Sequence, residues 1–97
     1  MAKKAVCALT RDEISAVVLA RLRKVHKQEN ISEQTRFDID LIADPPFKEL
    51  YFFAIKPDIE AAGCCIDTDV FNEKVCRKAK TVKSIVDAAF KSLVACD

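Results

Sequence analysis

The sequence predicts an all-α fold, a small bundle of three longer helices and one short helix, with a long loop between helices one and two. Three observations support this class. The 97 residues include one glycine and three prolines, whereas sheets and their turns need more such residues. Apolar residues recur at helical spacing in several segments, and a capping box opens the first of them. This length fills one core, so we expect a single domain over residues 1–97 with its core at about residues 10–94.

The first helix is predicted to span about Arg11 to His26. Thr10 and Glu13 have the spacing of a capping box, in which each side chain bonds the other residue's amide. Leu9 and Ile14 can pack together as a hydrophobic staple across the helix start. The inward positions then follow at helical spacing: Ile14, Val17, Val18, Leu22 and Val25.

A polar connection follows from Lys27 to Asp44, which is long for a loop inside a compact domain. Ile31, Phe37 and Leu41 are spaced along it as apolar anchors. We therefore expect this loop to be pinned onto the core.

The second helix is predicted to begin with Asp44 as its N-cap and Pro45 as its first residue, because the N–H that proline lacks would be unpaired there anyway. Pro57 should end or kink this helix near Lys56, and Gly63 is suited to the C-terminal stop. The expected inward stripe contains seven apolar residues: Phe47, Leu50, Tyr51, Ala54, Ile55, Ile59 and Ala62.

The C-terminal third of the chain predicts a short helix and a longer one. The capping residues Asp67–Asp69 precede a short helix, which should turn Val70, Phe71 and Val75 inward. The last helix should start at Thr81. Its inward set has the most regular period in the chain: Val82, Ile85, Val86, Ala89, Phe90, Leu93 and Val94.

The segment from Phe37 to Pro46 resembles the part of an acyl carrier protein that leads into its attachment site, where the family usually reads F-x-x-D-L-G-A-D-S-L. The matching residues are Phe37, Asp40, Leu41, Ala43 and Asp44. Where the family has the serine that carries the phosphopantetheine arm, followed by leucine, this chain has Pro45 and Pro46. The predicted order of helices and loop over residues 10–94 is also that of an acyl carrier protein.

This resemblance implies a non-catalytic, acyl-carrier-like module of fatty-acid, lipid or polyketide metabolism that docks on carrier-dependent enzymes. Pro45 has no hydroxyl to form the phosphodiester, so we expect no 4′-phosphopantetheine arm and no other cofactor. The other serines are expected to face solvent or cap helices: Ser15, Ser32, Ser84 and Ser92.

Helix two is the docking surface that the resemblance implies. The adjacent Phe52 and Phe53 lie off the predicted inward stripe, so either both are exposed, as a partner anchor, or the bundle buries one of them. The residues expected at the docking surface are Asp44, Lys48, Glu49, Phe52, Lys56, Asp58 and Glu60.

The charge distribution favours a partner protein with a basic patch. Residues 37–73 contain nine acidic and two basic side chains, although the net charge of the whole chain is +1. Basic ends around an acidic middle do not form the presented basic face that nucleic-acid binding needs. The acids of the middle are alternatively a solvated face without a partner.

The cysteines and the single histidine predict neither catalysis nor a metal site. Five cysteines form a poor disulfide framework, and no C-x-x-C pair occurs, so reduced thiols and no bound metal are expected. No nucleophile, acid–base pair or phosphate-binding loop is recognisable, which argues against an enzyme.

A cytoplasmic location without a membrane span is expected, because no apolar run approaches the roughly 20 residues that span a bilayer.

Two alternative functions remain open at this stage. The bundle could hold a fatty chain noncovalently between its helices. A redox or metal sensor could instead be built on Cys64, Cys65 and Cys76, which would need those thiols to be exposed and close together.

Overall fold

In a computed structural model, which describes residues 7–96, the chain forms four helices and one two-stranded sheet. Helices α1 and α2 are the longest, at 16 and 17 residues, and α3 and α4 have 6 and 10. The elements in chain order are α1 (Arg11–His26), α2 (Pro45–Ala61), β1 (Cys65–Ile66), α3 (Glu73–Lys78), α4 (Val82–Lys91) and β2 (Leu93–Val94). The mainly helical class predicted from the sequence is confirmed.

The first helix has the bounds and the capping box that its sequence predicts. The Glu13 amide donates to Thr10 Oγ1 at 3.1 Å, and the Thr10 amide donates to Glu13 Oε1 at 2.8 Å. Ile14, Val18 and Leu22 are buried, so this helix contributes one continuous apolar stripe to the core.

The long connection between α1 and α2 is pinned, as predicted. Ile31 and Phe37 are fully buried, and Leu41 packs against the core. The loop also pairs with the start of α4, because the Phe37 amide donates to the Lys80 carbonyl at 3.0 Å and the Val82 amide donates to the Thr35 carbonyl at 3.0 Å. The middle of this loop is therefore anchored to the bundle.

A partly exposed ion network adds to this anchoring. The Arg11 guanidinium donates to Asp87 Oδ1 and to Glu33 Oε1, at 2.7 and 2.8 Å, and so joins α1, the loop and α4. Ser15 donates to Glu33 at 2.6 Å. These hydrogen bonds from Arg11 and Ser15 lower the pKa of the Glu33 carboxyl.

The inward stripe predicted for α2 is wrong in part. Its buried side consists of Lys48, Tyr51, Phe52, Ile55 and Ile59, whereas Phe47, Leu50 and Ala62 are exposed. The helix packs against α1 on one side and most extensively against α3 on the other. Because α1 and α3 cover this side of the helix, Lys48 and Phe52 are buried and Leu50 is exposed to solvent.

Pro57 does not end α2, which continues through it to Ala61. Pro57 lies on the exposed side of the helix, where the carbonyl group one turn earlier can bond to water instead of to a backbone amide. Gly63 follows the C-cap residue Ala62 with φ +103°, a left-handed conformation that glycine adopts without strain. The predicted stop is therefore confirmed.

The C-terminal third differs from its prediction in the cap of α3, in the end of α4 and at Phe90, which was predicted to face inward but is exposed. The short helix α3 is capped by Asn72, whose side chain accepts from the Val75 amide, while Asp67 stabilises the turn before it. Thr81 caps α4 as predicted, but the helix ends at Lys91. Leu93 and Val94 are not helical, because they form β2 and pair antiparallel with β1.

Two disulfide bonds overturn the expectation of reduced thiols. Cys7 is bonded to Cys64, and Cys65 is bonded to Cys96, so the turn after α2 is linked to both ends of the described chain. Cys76 is a buried free thiol. Cysteine pairing depends on which residues the fold brings together, and an odd count therefore does not exclude two pairs.

Within residues 7–96, no helix combines the length and the apolar character needed to cross a membrane.

Candidate docking surface

The residue after the Ala43–Asp44 pair lies at the first position of a helix. Asp44 is the N-cap of α2 and has extended backbone angles, and Pro45 is its first residue, as predicted. Unlike Thr10 in α1, Asp44 accepts no capping hydrogen bond from any residue that the structure describes. Asp44 and Pro45 are both exposed, and the proline ring offers neither a hydrogen-bond donor nor a nucleophile.

Ile42 has an unusual backbone just before this helix start. Its φ of +51° lies in the left-handed region, which is rare for a β-branched residue because the side chain crowds the backbone. The side chain is nevertheless 71% exposed. Burial of the side chain therefore does not compensate for this strain, and such strain is found preferentially at functional positions.

A continuous apolar surface runs from Ile42 along the solvent side of α2. The positions in the helix are spaced by three or four residues, which places them on one side. Leu50 and Phe53 are 55% and 54% exposed, and Phe47 is 39% exposed. We call this surface the outer apolar face, and its members are Ile42, Pro46, Phe47, Leu50, Phe53 and Pro57.

Replacing Ile42 with asparagine is expected to raise the free energy of unfolding by about 1 kcal/mol. Asparagine tolerates the left-handed conformation better than isoleucine, and little buried apolar area is lost. Urea denaturation would measure the change. The matched control is Ile39→Asn, an exposed loop isoleucine without a positive φ, which should give no gain. Equal effects of the two substitutions would contradict strain at Ile42.

Two of the residues expected at the docking surface are buried instead. Phe52 is 7% exposed and packs its ring against Phe71, with the ring centres 5.5 Å apart. The Lys48 ammonium donates to the Ala79 carbonyl at 2.8 Å, which ties α2 to the end of α3. Both side chains are parts of the α2–α3 interface, so the docking roles predicted for them are corrected here. Phe53, which follows Phe52, is the exposed member of the pair.

Four of the other expected docking residues are engaged in ion pairs. Glu49 accepts from Arg77 at 2.9 Å, and Lys56 donates to Glu60 at 2.7 Å along the helix. Asp58 accepts two hydrogen bonds from Arg21 on α1, and these lower the pKa of its carboxyl. Intramolecular cations therefore neutralise much of the acidic charge near α2, which weakens a docking mechanism based on acidic steering alone.

Sequence reasoning missed Leu50 and Phe47 as surface residues because α2 is apolar on most of its circumference. Two stripes with helical spacing exist, one through Leu50 and Phe53 and one through Ile55 and Ile59. A helix that is apolar all round normally indicates burial on all sides. In a small domain with few other helices to cover it, an all-apolar helix also indicates that one of its sides stays exposed.

An open groove of about 340 Å³ adjoins the outer apolar face at the N-terminus of α2. Its lining includes His26, whose Nε2 is hydrogen-bonded to the Tyr51 hydroxyl. Partial burial lowers the pKa of His26, and burial raises that of Tyr51, so both groups are uncharged at neutral pH. The remaining lining residues are Leu41, Ile42, Ala43, Asp44 and Phe47.

The cysteines do not form the exposed cluster that a thiol sensor would need. Cys64 and Cys65 are each in a different disulfide, and burial together with nearby Glu73 raises the pKa of the Cys76 thiol to about 12. Among residues 7–96, no group of three or more histidine, cysteine, aspartate or glutamate side chains is arranged to hold a metal ion.

Comparison of the chain with family models, with curated proteins and with solved structures found no match in any of the three.

Proposed function

We propose that this protein is a non-catalytic, acyl-carrier-like docking module that lacks the phosphopantetheine arm. In this proposal it binds carrier-dependent enzymes of fatty-acid, lipid or polyketide metabolism through the outer apolar face. The observation that carries the proposal is the position of that face. It begins beside Pro45, where a carrier would display its loaded arm, and it follows the helix that carriers present to their enzymes.

The serines support the absence of an arm. Ser15 is buried inside α1 and donates to Glu33, so it neither faces solvent nor caps a helix, which corrects that expectation. Ser92 is buried, but it is the C-cap residue of α4, one of the two expected roles, and it donates to the Ala89 carbonyl. Ser84 lies in the first turn of α4, and Ser32 lies in the loop after α1. None of the four lies in α2 or in the segment 37–44 that leads into it, so a shifted attachment site has no support.

The exposed fraction of the apolar side chains supports docking by hydrophobic contact. Large exposed apolar patches on small proteins commonly mark interaction sites, and aromatic residues are enriched among interface hot spots. Leu50 and Phe53 occupy the middle of the outer apolar face, with the ion pairs Glu49–Arg77 and Lys56–Glu60 beside them. An apolar centre with a polar rim is the usual anatomy of a protein interface.

The location is proposed to be an oxidising compartment. Disulfides persist in oxidising environments and are rare in cytosolic proteins. The cytoplasmic location predicted from the sequence is therefore the weaker proposal, since four of the five cysteines are paired. The enzyme partner would have to share the oxidising compartment.

The attachment part of the proposal is tested by intact mass after incubation with a broad phosphopantetheinyl transferase and coenzyme A. The native chain should stay unmodified, whereas Pro45→Ser should gain at least partial loading. Pro46→Ser is the matched control, because it moves the hydroxyl one residue along the helix and should not be loaded. Loading of the native chain would contradict the proposal, and failure of Pro45→Ser would remove the support from the carrier resemblance.

The docking part is tested by measuring binding to immobilised carrier-dependent enzymes. Leu50→Glu should weaken binding by about tenfold or more, since it places a charge in the apolar centre. Phe90→Glu is the control, because Phe90 is an exposed aromatic residue on α4, which packs on α1. Equal binding by the native chain and Leu50→Glu would contradict docking through this face.

A noncovalent fatty-chain binder is the second candidate, and the groove beside α2 is the observation that favours it. Leu41, Ile42 and Phe47 give this groove an apolar wall. Displacement of a fluorescent fatty acid that depends on Phe47, with no binding to any carrier-dependent enzyme, would support this candidate over the docking module.

A further inference from the structure

The outer apolar face has an approximate two-fold symmetry along its own helix. Pro46 and Pro57 lie near its two ends, and Leu50 and Phe53 lie at equal distances on either side of its midpoint. If a second α2 is laid antiparallel across this midpoint, Leu50 of each copy meets Phe53 of the other. Pro46 of each copy then meets Pro57 of the other.

The apolar edge of the face is also complementary to itself. With 100° of rotation per residue, Phe47, Ala54 and Ala61 lie along one edge of the face. In the antiparallel arrangement, Phe47 of one copy lies within one helical turn of Ala54 of the other. A large side chain therefore meets a small one at two symmetrical places, as packing at native density requires.

The charged edge shows the same complementarity. Glu49, Lys56 and Glu60 lie along the opposite edge of the face. In the antiparallel arrangement, Glu49 of one copy lies within one helical turn of Lys56 of the other, and this pairing occurs twice. Both residues are part-exposed and already in ion pairs at the surface, so an opposite charge across the interface joins an existing network.

We propose that the outer apolar face pairs with the same face of a second copy, which makes the protein an antiparallel, two-fold symmetric dimer. Such an interface uses one patch twice, and it must be self-complementary in both shape and charge. Opposed helix dipoles add a small favourable contribution to the antiparallel direction. The dimer covers Leu50 and Phe53 whenever no other partner does, and a docking enzyme would compete with the second copy for them.

The first test is the molar mass of the oxidised, full-length protein in solution, measured by sedimentation velocity at micromolar concentrations. We expect a dimer that dissociates on dilution. Leu50→Glu should weaken it by about tenfold or more, because each copy would bury an unpaired charge against Phe53 of the other. Phe90→Glu should leave it unchanged. A monomeric native chain, or a Leu50→Glu variant that dimerises like the native chain, would overturn the proposal.

The second test changes the proposed pairing of Glu49 with Lys56 across the interface. It is designed to distinguish this pairing from the ion pairs that both residues form within one copy. Glu49→Lys and Lys56→Glu should each weaken the dimer several-fold, since each puts like charges together twice. An equimolar mixture of the two variants should form mixed dimers, because all cross-interface pairs are then opposite. The double variant should also recover the native affinity, although its bonds to Arg77 and Glu60 remain broken. Failure of both recoveries would overturn the antiparallel arrangement.

The dimer and the proposed docking use the same surface, but experiments can contradict either one alone. A monomer that still binds a carrier-dependent enzyme would overturn the dimer alone. A dimer that binds no such enzyme, even when diluted to monomer, would overturn the docking function alone.

Discussion

Replacing Phe52 with alanine is expected to lower the free energy of unfolding by about 3–5 kcal/mol. Phe52 is buried between α2 and α3, where its ring meets those of Phe71 and Phe53 edge-on. Truncation removes the buried apolar area of the ring and leaves a cavity that rigid neighbours cannot fill. Such a loss is a large fraction of the roughly 5–15 kcal/mol that stabilises a small domain.

The neighbouring residue provides the matched control. Phe53→Ala makes the same chemical change one position away on a side chain that is more than half exposed. It should cost about 1 kcal/mol or less in dilute solution, while it weakens binding at the outer apolar face. Thermal melts of both variants at low concentration give the comparison. Similar losses of stability would show that the buried face of α2 is not the one described above.

Removal of the Cys7–Cys64 disulfide is expected to destabilise the fold by about 2–5 kcal/mol. The bond joins residues 57 positions apart, and it restricts the unfolded chain more than a bond across a short loop does. The Cys65–Cys96 bond spans 31 positions and should contribute slightly less, by a few tenths of a kcal/mol. Paired Cys→Ala variants, which leave no new free thiol, allow the two bonds to be compared in urea denaturation.

Thiol counting provides an independent check on this prediction. Alkylation of the unfolded chain without reductant should modify one cysteine, Cys76, and alkylation after reduction should modify all five. Reductant should lower the melting temperature of the native chain and have no effect on a variant that lacks both disulfides. Five reactive thiols before reduction, or a melt that reductant does not change, would contradict the pairing described here.

Local features of the fold could be predicted well because their causes lie within a few residues of each other. The capping box of Thr10 and Glu13, the Thr81 cap and the Gly63 stop each depend on bonds or backbone angles inside one turn. The anchors Ile31 and Phe37 were also predictable, since a polar loop has few other reasons to contain large apolar residues.

The sequence predicted which helix carries the candidate site, but it did not predict which side of that helix is exposed. The sequence indicated that α2 starts at Pro45 without a hydroxyl, and the structure agrees. It left open whether one of Phe52 and Phe53 is buried, and it placed Leu50 inward and Lys48 at the surface, whereas Leu50 is exposed and Lys48 is buried with Phe52. Both stripes satisfy helical spacing, and the choice between them depends on where α1 and α3 pack.

The sequence by itself determined where α1, α2 and α4 begin and that α2 opens on a proline without a hydroxyl, since these features follow from local chemistry. The tertiary structure alone decided which side of α2 is covered, that Leu93 and Val94 leave the last helix to pair with β1, and which cysteines meet. These outcomes join residues far apart in the chain. Their free energies come from packing and cross-linking, and no periodicity within one segment encodes them.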